Sequence, residues 1–214
     1  MDATNGIFYI AILVMSVVIH EISHGFMAEY FGDRTARFAG RLTLNPIKHL
    51  DMFGSILLPA LLIISHAPFL VGWAKPVPYN PENLSNKKWG TVGVAVAGVL
   101  ANFCLAIFFG ILIRFAPVLF GLPPYDVSDP HPFYVITRMI VVVNLGLGIF
   151  NLVPIPPLDG SKILFSLLPA SFHDVINFLE TYSFILIIVF VVFFSEYLFP
   201  ILKFLFHLIT GLAI

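Results

Sequence analysis

Residues 90–116 read GTVGVAVAGVLANFCLAIFFGILIRFA, and Arg114 is the one charged side chain among them. A helix over that stretch rises about 40 Å at 1.5 Å per residue. That exceeds the roughly 30 Å of a bilayer's hydrocarbon core. Further apolar runs lie at 7–31, 54–71, 134–153 and 181–199. The chain as a whole is 59% hydrophobic and 11% charged, whereas soluble domains carry about a quarter charged residues. Backbone groups in lipid must be satisfied within the segment, so the runs are expected as helices. The expectation is an all-α polytopic membrane protein with about four to six transmembrane segments, read as a single integral-membrane domain over residues 1–214. The lipid bilayer is its first partner.

Charge and cysteine usage narrow the function. The net charge is −1 and no basic patch with interleaved aromatics appears, so a nucleic-acid partner is not expected. Cys104 is the single cysteine and sits in an apolar run, which excludes a disulfide framework and a Cys-based metal cluster. The N-terminus, MDATNG, lacks the positive region of a cleavable signal peptide. The run 7–31 is therefore read as a retained span. No internal repeat is evident.

Ionisable groups at membrane depth are costly and need a reason. The stretch VVIHEISHGF, residues 17–26, carries three. His20 and His24 are four residues apart, so on a helix they project from one face, one turn apart. That spacing lets two imidazoles hold one zinc ion, with Glu21 beside them as candidate general acid/base. The plainer alternative is a pair of histidines hydrogen-bonding to neighbouring spans. A catalytic zinc usually takes a third protein ligand, which must come from another span. Glu29 and Glu196 lie near span ends. Asp159 follows a run broken by Pro154, Pro156 and Pro157 and precedes Gly160. Broken backbone at membrane depth belongs inside protein or against a cavity, although PPLDGS also reads as an ordinary turn.

Two motifs, His20-Glu21-x-x-His24 within 7–31 and Asn151-x-x-Pro154-x-Pro156-x-x-Asp159-Gly160 at 151–160, resemble in order and spacing those of the site-2 protease family. GRLTLNPIKHLDMFGSILLP and GWAKPVPYNP extend the likeness to the compact prokaryotic branch, without PDZ or CBS domains. The resemblance implies an intramembrane zinc metalloprotease acting on membrane-anchored protein substrates. It also implies that His20, His24 and Asp159 hold Zn2+ and that Glu21 is the general acid/base. Gly98-x-x-x-Asn102 is similar to another motif of the family, whose Asn helps to hold substrate, though Val99 stands where many relatives have Pro. Asn151 is a second candidate for receiving unwound substrate backbone; packing between helices is the open alternative for both Asn102 and Asn151, while Asn144, on the same helical face as Asn151, reads as packing. His49 and Asp51 read as a juxtamembrane polar pair, with support for the metal ligands as the alternative.

Two other classes compete. A metal transporter would bury His and Asp but has no need of Glu21, and would tend to show repeated halves. A catalytically silent scaffold would not need the full set. Topology follows from charge. Of eleven Lys and Arg, seven lie between Arg34 and Lys88, flanking 54–71, and the loop 117–133 has none. Positive residues in short loops mark the cytoplasmic side. A re-entrant 54–71, broken at Pro59, keeps both clusters inside; a full crossing is the rival reading. The re-entrant layout puts the site of a multi-pass cell-membrane protein nearer the cytoplasm.

Overall fold

The computed structural model describes residues 3–57, 61, 64 and 74–213. Every regular element among them is helical, as the composition requires. Helix α1 (Ala3–Tyr30) leads through short α2 (Thr35–Phe38) to α3 (Lys87–Phe120) and α4 (Pro132–Asn151). Four shorter helices follow: α5 (Asp159–Leu167), α6 (His173–Thr181), α7 (Ser183–Phe193) and α8 (Leu198–Thr210). Helices α1, α3 and α4 are long and apolar enough to cross a membrane, and the bent pair α6–α7 is a fourth candidate. The structure is thus an all-helical membrane protein.

Local chemistry sets the ends. Asn86 caps α3 by accepting the Trp89 N–H at 3.0 Å, and Gly121, at φ 62°, closes it in the left-handed region. Pro132 stands at the start of α4, where a missing N–H costs nothing. Helix α3 is the central element, packed by both α1 and α4. Hydrocarbon surrounds such helices and gives no hydrophobic drive to associate, so close backbone approach has to supply contact energy. Helix α3 presents Gly90, Ala95, Ala97 and Gly98 for that purpose, all buried. Below them Ala106, Ile113, Tyr134, Val141, Leu145 and Phe206 form one apolar cluster.

The expected span 181–199 is not one straight helix. The chain turns by 72° between α6 and α7, and α7 stops at Phe193. A 3-10 turn over Ser195–Tyr197 then hands over to α8. Pro200 lies in the first turn of α8, where proline is tolerated. Ser195 and Glu196 are the residues that interrupt the apolar run at this turn. Most of the expected re-entrant segment 54–71 lies outside the described residues. Its flanks are described and they meet: the Lys75 N–H donates to the His49 carbonyl at 2.8 Å.

Just past α1, Asp33 ties the start of α2 to the loop carrying Asn80 and Asn83. Its carboxylate accepts the Thr35 N–H and hydroxyl, the Asn80 N–H at 2.6 Å and the Asn83 amide at 3.0 Å. Burial alone would push this carboxyl up, but the hydrogen bonds from Thr35, Asn83 and Asn80 outweigh it and hold the pKa below its ordinary value. The stabilisation is therefore complete above the ordinary aspartate pKa of about 3.9 and is lost as pH falls through the lower folded value. Asp33→Asn should melt about 2–4 °C below wild type at pH 7 in detergent. The gap should close as both are taken to strongly acidic pH; a gap independent of pH would refute the charge-based account.

Candidate metal centre

His20 and His24 lie on α1, at 6% and 7% exposure. Their Nε2 atoms are 3.0 Å apart. The third group arrives from a different part of the chain. Helix α4 ends at Asn151, the proline-rich stretch turns the backbone, and α5 starts at Asp159. An acidic residue suits a helix N-terminus. Asp159 Oδ2 lies 3.0 Å from His20 Nε2 and 3.1 Å from His24 Nε2. Glu21 also places a carboxylate oxygen within 4.8 Å of both imidazoles.

The hydrogen bonds around this triangle fix which atoms carry protons. The Asn102 amide nitrogen donates to Asn144 Oδ1 at 2.8 Å, so Asn102 Oδ1 is an acceptor, and His20 Nδ1 donates to it at 2.6 Å. His24 Nδ1 donates to the Val94 carbonyl at 2.6 Å. Each ring, in its neutral form, therefore turns an unprotonated Nε2 toward the same point. Asp159 Oδ1 is engaged by the Lys162 ammonium at 3.0 Å, while Oδ2 is buried without a hydrogen bond. Three lone-pair donors facing one point repel one another unless a cation lies between them. A tetrahedral zinc with bonds of 2.0–2.1 Å spaces its ligands roughly 3.3 Å apart, close to what is found. The donor set fits zinc.

Each ligand has its other polar atom held, which is how protein around a metal orients its ligands. The support for His20 runs deepest. Asn102 also reaches the Ser16 carbonyl, and the Asn144 amide donates to Ser16 Oγ at 2.9 Å and to the Ile140 carbonyl. Gly98 makes the arrangement possible. A Cβ there would lie 2.5 Å from His24 Cε1 and 2.7 Å from His20 Cε1, so only glycine lets α3 approach the two rings.

The structure thus brings together His20, Glu21, His24 and Asp159. Asn102, expected to face substrate, is fully buried behind His20, with its carboxamide occupied inside the protein. Asn151 donates to the Leu147 carbonyl one turn back. Glu29 pairs with Arg37, and Glu196 lies in the turn before α8. His49 is buried, with Nε2 donating to the Thr43 carbonyl at 2.9 Å. Three contributors escaped the sequence reading. Ser16 stands one turn before His20 on the same face, and Lys162 one turn after Asp159, so helical spacing alone could have flagged both. The Val94 carbonyl has no such signal.

A helical membrane protein with a buried His-His-Asp triangle and an adjacent glutamate defines a membrane-embedded metallohydrolase. Peptidase family M50 matches residues 8–134 and 128–195. The chain belongs to that family, the site-2 protease family that its two motifs resemble. It is 38% identical over 179 residues to "Putative zinc metalloprotease YwhC" of Bacillus subtilis, covering 83% of this chain and 76% of that one. It is 30% identical over 158 residues to "Putative zinc metalloprotease Rip2" of Mycolicibacterium smegmatis, covering 72% and 56%. To "Zinc metalloprotease MJ0392" of Methanocaldococcus jannaschii it is 25% identical over 167 residues, covering 77% and 36%. No solved structure matches.

Gly98→Ala tests the site geometry directly. The rings are pinned through Nδ1 and cannot swing aside, so the added methyl should weaken metal binding by about 10–100-fold. Helix content by circular dichroism should stay unchanged. Unaltered metal affinity would show that the rings have room the structure does not give them.

Proposed function

We propose that this member of Peptidase family M50 hydrolyses peptide bonds in or near the transmembrane segments of membrane-anchored proteins. His20, His24 and Asp159 hold one zinc ion, and Glu21 is the general acid/base. The observation that carries this reading is the convergence of two unprotonated imidazole nitrogens and an unpartnered carboxylate oxygen within 3.1 Å. Zinc bound there supplies Lewis acidity toward water and toward the scissile carbonyl.

The chain's own residues do the rest. Burial of His20, His24 and Asp159, each below 8% exposure, keeps bulk water from the triangle and strengthens every electrostatic interaction there. Glu21 Oε2 accepts the Val77 N–H at 2.8 Å, leaving Oε1 to take the proton of the attacking water and return it to the leaving nitrogen. A helical substrate hides its carbonyls in its own hydrogen bonds and has to unwind before attack. Asn151, with its carboxamide oxygen toward no described partner, is available to the exposed backbone. Asn102 we assign to holding His20.

The same arrangement weighs against the alternatives. A transporter needs its ligands to release the ion, whereas these three are locked by bonds to Asn102, Val94 and Lys162. A silent scaffold has no use for unpartnered lone pairs. Sidedness is part of the proposal. The meeting of His49 and Lys75 supports a segment that leaves and returns on one face. The basic residues flanking it assign that face to the cytoplasm, and the cell membrane as the location.

With a fluorogenic transmembrane peptide, wild type should cleave in a chelator-sensitive way. Glu21→Gln should lose about 10²–10⁴-fold in rate while keeping about one zinc per chain, because it is not a ligand. Asp159→Ala should lose both. Zinc lost from Glu21→Gln but kept by Asp159→Ala would reverse the assigned roles; metal flux without cleavage would favour transport. Single cysteines at Lys48 and Lys87, in a Cys104→Ser background, should both react from the cytoplasmic side alone. Labelling from opposite sides would overturn the re-entrant layout and leave the chemistry standing.

A further inference from the structure

Arg41 lies outside the metal triangle and in neither of its sequence motifs, yet it is only 7% exposed. Among the described residues it forms no ion pair. Its guanidinium donates instead to two backbone carbonyls, Lys75 O at 2.7 Å and Pro76 O at 3.3 Å. A buried cation without a carboxylate is costly and implies a specific use.

The two carbonyls open the extended stretch Lys75-Pro76-Val77-Pro78. Prolines carry no N–H, so across Pro76–Pro78 the backbone offers one donor, at Val77. That donor goes to Glu21 Oε2 at 2.8 Å, 56 residues away in sequence. Each residue before a proline is also held extended, so Lys75 and Val77 have little freedom to turn their peptide groups elsewhere. Helix α1 is cut back to admit the segment. Gly25 stands one turn after Glu21, and a Cβ there would lie 2.9 Å from Val77 Cγ1 and 2.5 Å from Leu42 Cδ2. Arg41 itself is anchored by its N–H to the Ala36 carbonyl at 3.0 Å.

We infer that Arg41 is a positioning residue for Glu21, acting through the Pro76-Val77-Pro78 segment to hold one carboxylate oxygen and orient the other. The inference rests on Glu21 being the base of the proposed proteolysis. It concerns orientation alone: Arg41 and Val77 touch neither the metal triangle nor, on this account, the substrate. Their loss should therefore appear in kcat, with KM and metal content unmoved.

The test uses the full-length, zinc-loaded chain in detergent. Arg41→Ala should lower kcat on a fluorogenic transmembrane peptide by about tenfold to a hundredfold, with KM within about twofold of wild type. Arg41→Lys, which keeps a donor, should recover most of the loss. Val77→Pro deletes the N–H and should lose as much as Arg41→Ala, and the double variant should lose no more than either. Backbone hydrogen exchange supplies a readout free of activity. The Val77 amide should be protected in wild type and exchange at least tenfold faster in Arg41→Ala and in Glu21→Ala. Wild-type kcat in Arg41→Ala, additive losses in the double variant, or unchanged Val77 exchange in Glu21→Ala would each overturn the inference. If Arg41→Ala fails to fold, Arg41→Lys and Val77→Pro decide between the same outcomes. A wild type that cleaves nothing would sink the proteolytic reading, while the exchange experiment would still decide the Arg41–Val77–Glu21 connection.

Discussion

Two imidazole nitrogens and a carboxylate oxygen, each bearing a lone pair and all within 3.1 Å, repel one another in an apolar interior. Much of the architecture serves to hold that repulsive arrangement in readiness for a cation. Helix α1 supplies two of the atoms from adjacent turns. The break after α4 brings the third across from another span. Helix α3 contributes no ligand, yet it determines the geometry. Val94 and Asn102 fix the tautomers from one side, and Gly98 between them leaves the rings their space. The small residues that let helices associate in lipid are the same ones that admit the site.

The polar groups behind His20 illustrate the balance. Ser16, Asn102 and Asn144 are all buried at membrane depth, and each would be costly alone. Joined, they satisfy one another and end on the imidazole N–H. A fully satisfied network rigidifies its surroundings, whereas a half-satisfied one destabilises them. Removing one member therefore affects more than one bond. It also leaves its partners unpaired where water cannot reach.

Much of this was legible in the sequence. Composition dictated helices, and the runs 7–31, 90–116 and 134–153 correspond to α1, α3 and α4 within a few residues. The four residues His20, Glu21, His24 and Asp159 were picked by spacing and by the broken backbone, and they do meet. What stayed hidden depends on three-dimensional approach. Asn102 was read from a motif resemblance, with substrate contact and helix packing both open; its bond to His20 had no local signal, because the two are 82 residues apart. The break of 181–199 was overlooked although Ser195 and Glu196 interrupt the apolar run where the 3-10 turn falls. The bond from Val77 to Glu21 had no signal: its donor is backbone, and every residue but proline has one.

The two halves of the site are supported differently. The proposed metal ligands are braced by the helices α1, α3, α4 and α5. Glu21, the proposed base, is braced from beyond them, through a proline-flanked stretch bonded by Arg41 and, at Lys75, by the His49 carbonyl. Ligand geometry therefore depends on helix packing, which is stiff. The orientation of Glu21 depends instead on a single backbone N–H, that of Val77, offered by a stretch outside the long helices. On the proposed roles, metal occupancy and catalytic rate are separable properties. A change in the proline-flanked stretch can slow the chemistry while the metal triangle stays intact.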